Sequence, residues 1–149
     1  MIKKRLPLVI ILLSTALIFM ALKNLSLDVS LSSWGNNYPG YTEATKMQQN
    51  STKPIALYFY TDWCSNCKAL REQVLASAEV TSYMNNLHAV KINPEIGINE
   101  ENLAKKFGVL GYPSFFIIME NGSVIKQIRR TANVTPEQFI AQLQQATKS

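Results

Sequence analysis

Trp63-Cys64-Ser65-Asn66-Cys67-Lys68 carries both cysteines of the chain. Just upstream, Ile55-Ala56-Leu57-Tyr58-Phe59-Tyr60 is a short apolar run rich in β-formers, the pattern of a buried strand. Just downstream, Lys68 to Leu75 reads as a helix. A C-x-x-C pair at such a junction puts the first sulfur at a helix N-terminus. There the unpaired backbone N–H groups and the helix dipole favour a thiolate over a thiol. The second cysteine lies about one turn further in, close enough to close a disulfide. This spacing suits thiol–disulfide exchange.

Two other uses of the pair fit less well. As a staple, a C-x-x-C bridge closes a very small loop and restricts little of the unfolded chain. A structural zinc site needs four ligands, and the chain adds only one histidine, His88, to its two cysteines. No metal site and no cofactor are therefore expected, and His88 reads as a strand-entry or surface residue.

The 149 residues suffice for one domain with a core plus an appendage. The net charge of +5 is unevenly placed, because Lys3, Lys4 and Arg5 supply three of it. The remainder is small and forms no basic stripe with interleaved aromatics, so nucleic acid is not an expected partner.

Residues 1–22 read as a membrane anchor or signal segment. After Lys3-Lys4-Arg5, residues 6–22 carry no charge. As a helix they would span about 25 Å, enough for a thin or locally adapted bilayer. The basic flank predicts that end in the cytoplasm and the rest on the extracytoplasmic, periplasmic side. Phe19 and Ala21 make a poor small-x-small cleavage site, and Ser30-Leu31-Ser32 lies far downstream. An uncleaved anchor is favoured; cleavage would release the domain into the same compartment. Either way the cysteines lie where disulfides persist.

Residues 23–39 read as a linker, within which Leu25 to Leu31 alternates like a short edge strand, and 40–149 as the folded domain. Tyr41 to Gln49 has helical spacing, and Asn50 to Pro54 ends it. Ser77 to Asn86 reads as a helix with Val80, Tyr83 and Met84 inward, and His88 to Asn93 as a strand. Asn99 to Phe107 reads as a helix capped by Asn99 and stopped by Gly108. Ser114 to Glu120 and Ser123 to Arg129 read as a hairpin around Asn121-Gly122. Thr135-Pro136-Glu137 opens a final helix with Phe139, Ile140 and Leu143 on one side. This order predicts an α/β domain with a central mixed β-sheet flanked by helices.

From about Gly40 to Thr147 the chain resembles the thioredoxin superfamily in three motifs. Asp62-Trp63-Cys64-Ser65-Asn66-Cys67-Lys68 is similar to its acidic-Trp-Cys-x-x-Cys-Lys pattern. Phe107-Gly108-Val109-Leu110-Gly111-Tyr112-Pro113-Ser114 is similar to the segment that holds its cis-proline. Asn121-Gly122 stands at the expected hairpin. The flanking helices make it most similar to bacterial envelope thioredoxin-like proteins of the DsbD C-terminal-domain kind. The resemblance implies a thioredoxin-like fold, with Cys64 as attacking nucleophile and Cys67 as resolving thiol. It also implies that Pro113 is cis, that the Tyr112 backbone docks an extended substrate, and that Trp63 lines the docking surface. Protein disulfides are the implied substrates, and a membrane thiol-reductant is the implied electron donor.

Two departures from the family stand out. Where many thioredoxins carry a buried Asp, this chain has Tyr58, a poor base near neutral pH. Lys91 stands where the family often places a lysine beside that Asp, so a Tyr58–Lys91 contact is conceivable. The dipeptide between the cysteines, Ser65-Asn66, lacks the histidine of strong oxidants, which tilts the expectation toward a reductase. The alternatives are a disulfide oxidase or isomerase, or a non-catalytic binding or Cu(I)-handling module. Two thiolates can bind Cu(I), but no methionine cluster or nearby histidine supports it.

Overall fold

The computed structural model describes residues 14–15, 17–20, 31–119, 122–129 and 131–148. In chain order these give β1 (Gly35–Asn36), α1 (Asn37–Gln49), β2 (Ile55–Phe59) and α2 (Ser65–Leu70), which runs on into a π-helical turn (Arg71–Leu75). There follow α3 (Ala78–Met84), β3 (His88–Ile92), α4 (Ile98–Lys106), β4 (Ser114–Met119), β5 (Val124–Ile128) and α5 (Pro136–Thr147).

Among the described residues five strands form one sheet in the order β1-β3-β2-β4-β5. β1 and β2 pair with β3 in parallel, whereas β4 runs antiparallel to both β2 and β5. β2 lies at the centre and is buried along its whole length. Because strand side chains alternate between faces, β2 feeds two cores. Ala56 and Tyr58 join Phe115, Ile117, Val80, Phe139 and Leu143 on one face. Ile55, Leu57 and Phe59 join Val90, Ile92, Phe116 and Leu103 on the other. Helices thus cover both faces, as the element order predicts.

Local chemistry sets the helix ends. Gly108 has φ 64°, a left-handed conformation that costs glycine little. Its N–H bonds the Lys105 carbonyl, and the Val109 N–H bonds that of Ala104. This pairing closes α4 as a Schellman motif. Thr135 caps α5 through the Gln138 N–H, and the Gln138 side chain returns a bond to the Thr135 N–H. The expected β4–β5 hairpin forms, with Gly122 at φ 85°; Asn121 lies outside the described residues. Asn99 is not the cap of α4. Gly97 takes that position, so the helix begins before Asn99.

The structure corrects the reading of 23–39 as a linker. Residues 23–30 lie outside the described residues, but Leu31 and Trp34 are buried in the core. Gly35 and Asn36 pair with Val90 and Lys91 as β1. The helix expected from Tyr41 begins at Asn37. Its Pro39 sits in the first turn, where a missing N–H breaks no helical bond. A Cβ on Gly40 would stand 2.6 Å from the Gly35 carbonyl carbon, so a glycine there lets β1 pack against α1. Gly40→Ala is expected to cost about 1–3 kcal/mol by forcing the two backbones apart, as chemical unfolding would record.

Of the expected anchor over 1–22, only Ser14, Thr15 and residues 17–20 are described, as helical and exposed. No helix among the described residues is long and apolar enough to cross a membrane.

His88 opens β3, with its Nε2 2.9 Å from the Ser51 Oγ. Burial, and then the charge of Lys53, hold its pKa below the ordinary imidazole value. The unfolded chain therefore binds this proton more readily than the folded one. The His88 contribution to stability is complete above about pH 6.5 and declines as pH falls through the lower folded value. His88→Gln is expected to flatten that acid-side decline, read as the pH dependence of the urea midpoint.

Candidate active site

β2 delivers the chain to the site through the Tyr60 N–H, which bonds the Ile92 carbonyl at 3.0 Å and prolongs the pairing with β3. The Cys64 N–H then bonds the Thr61 carbonyl at 3.3 Å and turns the backbone into α2. Cys64 is the N-cap of α2 in extended conformation, and its Sγ accepts the Cys67 N–H at 3.1 Å. A sulfur here replaces the oxygen that usually satisfies an orphan donor at a helix start. A thiolate would accept the same bond with a full charge.

Cys64 and Cys67 form a disulfide with Cα atoms 5.2 Å apart. Both sulfurs' residues are nearly enclosed, at 6% and 3% exposed, while the adjoining Trp63 is 71% exposed. The indole Nε1–H donates to Glu95 Oε1 at 2.8 Å, and the ring meets that of Tyr112 edge-on at 6.3 Å. The Tyr112–Pro113 bond is cis. Its loop is held by the Thr131 hydroxyl, which donates to the Pro113 carbonyl, and by the Ser114 hydroxyl, which donates to that of Gly111. Burial, and then Glu95, push the Tyr112 pKa up, so this hydroxyl stays neutral at physiological pH.

Tyr58 lies beneath the pair. Its ring stacks on Tyr60 and Phe115, and its hydroxyl donates to the Cys67 carbonyl at 3.4 Å. Burial drives its pKa well above the ordinary phenol value, against the lowering effect of Arg71. A group so hard to ionise cannot serve as a base near neutral pH. Tyr58 and Lys91 face each other in the β2–β3 register, but the Tyr58 hydroxyl is directed to Cys67 instead.

Sequence reasoning passed over the polar tie that holds these loops. Asn93, 3% exposed, accepts the Glu95 N–H and donates from Nδ2 to Asp62 Oδ2 at 3.2 Å. Its own N–H bonds Asn37 Oδ1. Asn93 therefore joins the Trp63 loop, the loop after β3 and the start of α1. A single Asn at a strand end carries no spacing that would announce this.

The chain matches the thioredoxin-like domain family over residues 38–147. It is similar to the thiol:disulfide interchange protein DsbD of Haemophilus ducreyi, 30% identical over 107 residues, which are 68% of this chain and 19% of that protein. It is also similar to DsbD of Campylobacter jejuni (strain RM1221), 30% identical over 97 residues, 64% of this chain and 17% of the relative. The chain thus spans less than a fifth of these relatives' length. Among solved structures, a DsbH oxidoreductase superposes with a TM-score of 0.63 at 24% identity, covering 77% of this chain and 87% of that one. The oxidised C-terminal domain of Neisseria meningitidis DsbD gives 0.61 at 22% identity, covering 71% and 91%. At these identities the structural likeness is one of fold.

Proposed function

The chain belongs to the thioredoxin-like domain family, and from that premise we propose that it is a membrane-tethered thiol–disulfide oxidoreductase acting mainly as a reductase. The Cys64 thiolate attacks one sulfur of a substrate disulfide, and the other sulfur leaves as a thiolate that takes up a proton. Cys67 then attacks the Cys64 sulfur of the mixed disulfide and releases the second substrate thiol. Two electrons pass to the substrate, and the Cys64–Cys67 disulfide remains. A membrane dithiol donor restores the pair by the same exchange in reverse.

The observation that carries this reading is the Cys64 Sγ at the start of α2, already accepting the Cys67 N–H. Ionising Cys64 needs no rearrangement to gain that bond. Trp63, Tyr112 and Pro113 form the docking rim in this reading. Beside Tyr112 runs an open groove lined by Ile96, Ile98, Glu95 and Glu101, which suits an extended partner with apolar and basic residues. The reductase direction is supported by Ser65-Asn66, which brings no histidine between the cysteines. The tether and its orientation are supported by the uncharged stretch 6–22 behind Lys3-Lys4-Arg5.

A membrane-impermeant thiol reagent applied to intact cells tests all three elements together. The expected result is labelling of Cys64 and Cys67 from outside, with most of the pair reduced at steady state. A pair labelled only after lysis would contradict the orientation. A pair held mainly as disulfide would contradict the direction.

A further inference from the structure

A cavity of about 190 Å³ opens beside the disulfide, and Cys64 and Cys67 both form part of its wall. Its charged lining is Asp62, Lys68, Arg71 and Lys91, three cations against one carboxylate. Lys68 has Glu72 at 4.0 Å, and Asp62 already accepts the Asn93 amide. Arg71 and Lys91 have neither an ion pair within 4 Å nor a side-chain hydrogen bond among the described residues. The two tyrosines of the wall, Tyr58 and Tyr60, bring no negative charge.

Two cations without a partner thus line a space far larger than the ~10–15 Å³ a single water needs. Water alone would leave their charge uncompensated. A tetrahedral oxyanion offers the guanidinium fork and the ammonium a charged acceptor.

We propose that this cavity binds a small oxyanion of sulfate or phosphate size through Arg71 and Lys91, and that it does so more tightly when Cys64–Cys67 is a disulfide. Reduction takes two electrons and two protons from a dithiol donor, which itself becomes a disulfide. Once a thiol of the reduced pair ionises, its sulfur places a negative charge in the same wall. Thiolate and anion then compete for the two cations. By linkage, whatever binds the disulfide form more tightly stabilises it, so the anion makes the pair a stronger reductant. The coupling rests on the redox reading of the pair, but the anion site does not.

The test titrates the full chain with sodium sulfate at constant ionic strength, following binding heat in the oxidised and reduced states. Saturable one-site binding to the oxidised chain is expected, at least about tenfold weaker after reduction. Each tenfold ratio should move the midpoint of the pair about 30 mV toward reducing values at saturating sulfate. Arg71→Gln and Lys91→Gln should each weaken binding about tenfold or more, with thermal unfolding confirming that both variants fold. Lys91→Gln, at a half-buried position on β3, is the more conservative change. Absence of saturable binding, or binding untouched by both substitutions, would overturn the site. Equal affinity in the two redox states would overturn the coupling. Because binding to the disulfide form needs no substrate, a chain that failed as a reductase would still bind the anion. A chain that failed to bind it would leave the reductase reading intact.

Discussion

On the proposed mechanism Cys64→Ala is expected to abolish disulfide reduction, by about 10³-fold or more, the scale of losing a nucleophile, whereas Cys67→Ala is expected to react once and stop. The asymmetry follows from where α2 puts the two sulfurs. Cys64 caps the helix next to an exposed tryptophan and accepts a backbone N–H. Cys67 lies inside the first turn, 3% exposed, with the Tyr58 hydroxyl on its carbonyl. In the proposed exchange an incoming disulfide therefore meets Cys64, and Cys67 attacks the resulting bond. Non-reducing electrophoresis reads the difference directly. Cys67→Ala should accumulate mixed disulfides that reductant dissolves, and Cys64→Ala should accumulate none. Equal trapping by both variants, or trapping by Cys64→Ala alone, would reverse the assignment of nucleophile and resolving thiol.

Trp34→Ala should destabilise the domain by about 3–5 kcal/mol, the cost of deleting a buried aromatic. That is a large share of the ~5–15 kcal/mol that holds a typical domain together. Trp34 is 6% exposed and meets the rings of Tyr58 and Phe115 edge-on at 6.4 and 6.3 Å. It thus braces the tyrosine beneath the Cys64–Cys67 pair, although it lies thirty residues before Cys64. Urea unfolding of the full chain measures the loss. A change below about 1 kcal/mol, within the range of ordinary surface substitutions, would mean that residues 31–36 are not integral to the domain.

The stretch around Trp34 also shows where the sequence was hard to read. β2, β4 and the C-x-x-C turn announce themselves, because a buried central strand must be apolar throughout and a helix start must be capped. Gly108 and Thr135 are legible for the same local reason, since each serves a helix end through its own backbone or side chain. β1 has two residues, too few to display a period, and exists only through its partner β3. The Pro39-Gly40 pair looks like a breaker, yet proline is at home in a first turn and Gly40 is there for contact with Gly35.

At the site, both cysteines, Trp63, Tyr112 and Pro113 stood out by motif. Arg71 and Asn93 did not, since each takes its place at the site through neighbours brought together only by folding. Tyr58 lies between these cases. Its chemistry as a poor base was readable from residue type, but its bond to the Cys67 carbonyl needed the sheet and α2 in place.

The equilibrium reduction potential of Cys64–Cys67, measured on the full chain in a graded thiol–disulfide buffer, tests the central claim most directly. A reductase predicts a value near or below roughly −270 mV, the thioredoxin range. A value near roughly −120 mV, typical of a strong oxidant, or a pair that does not cycle, would contradict it.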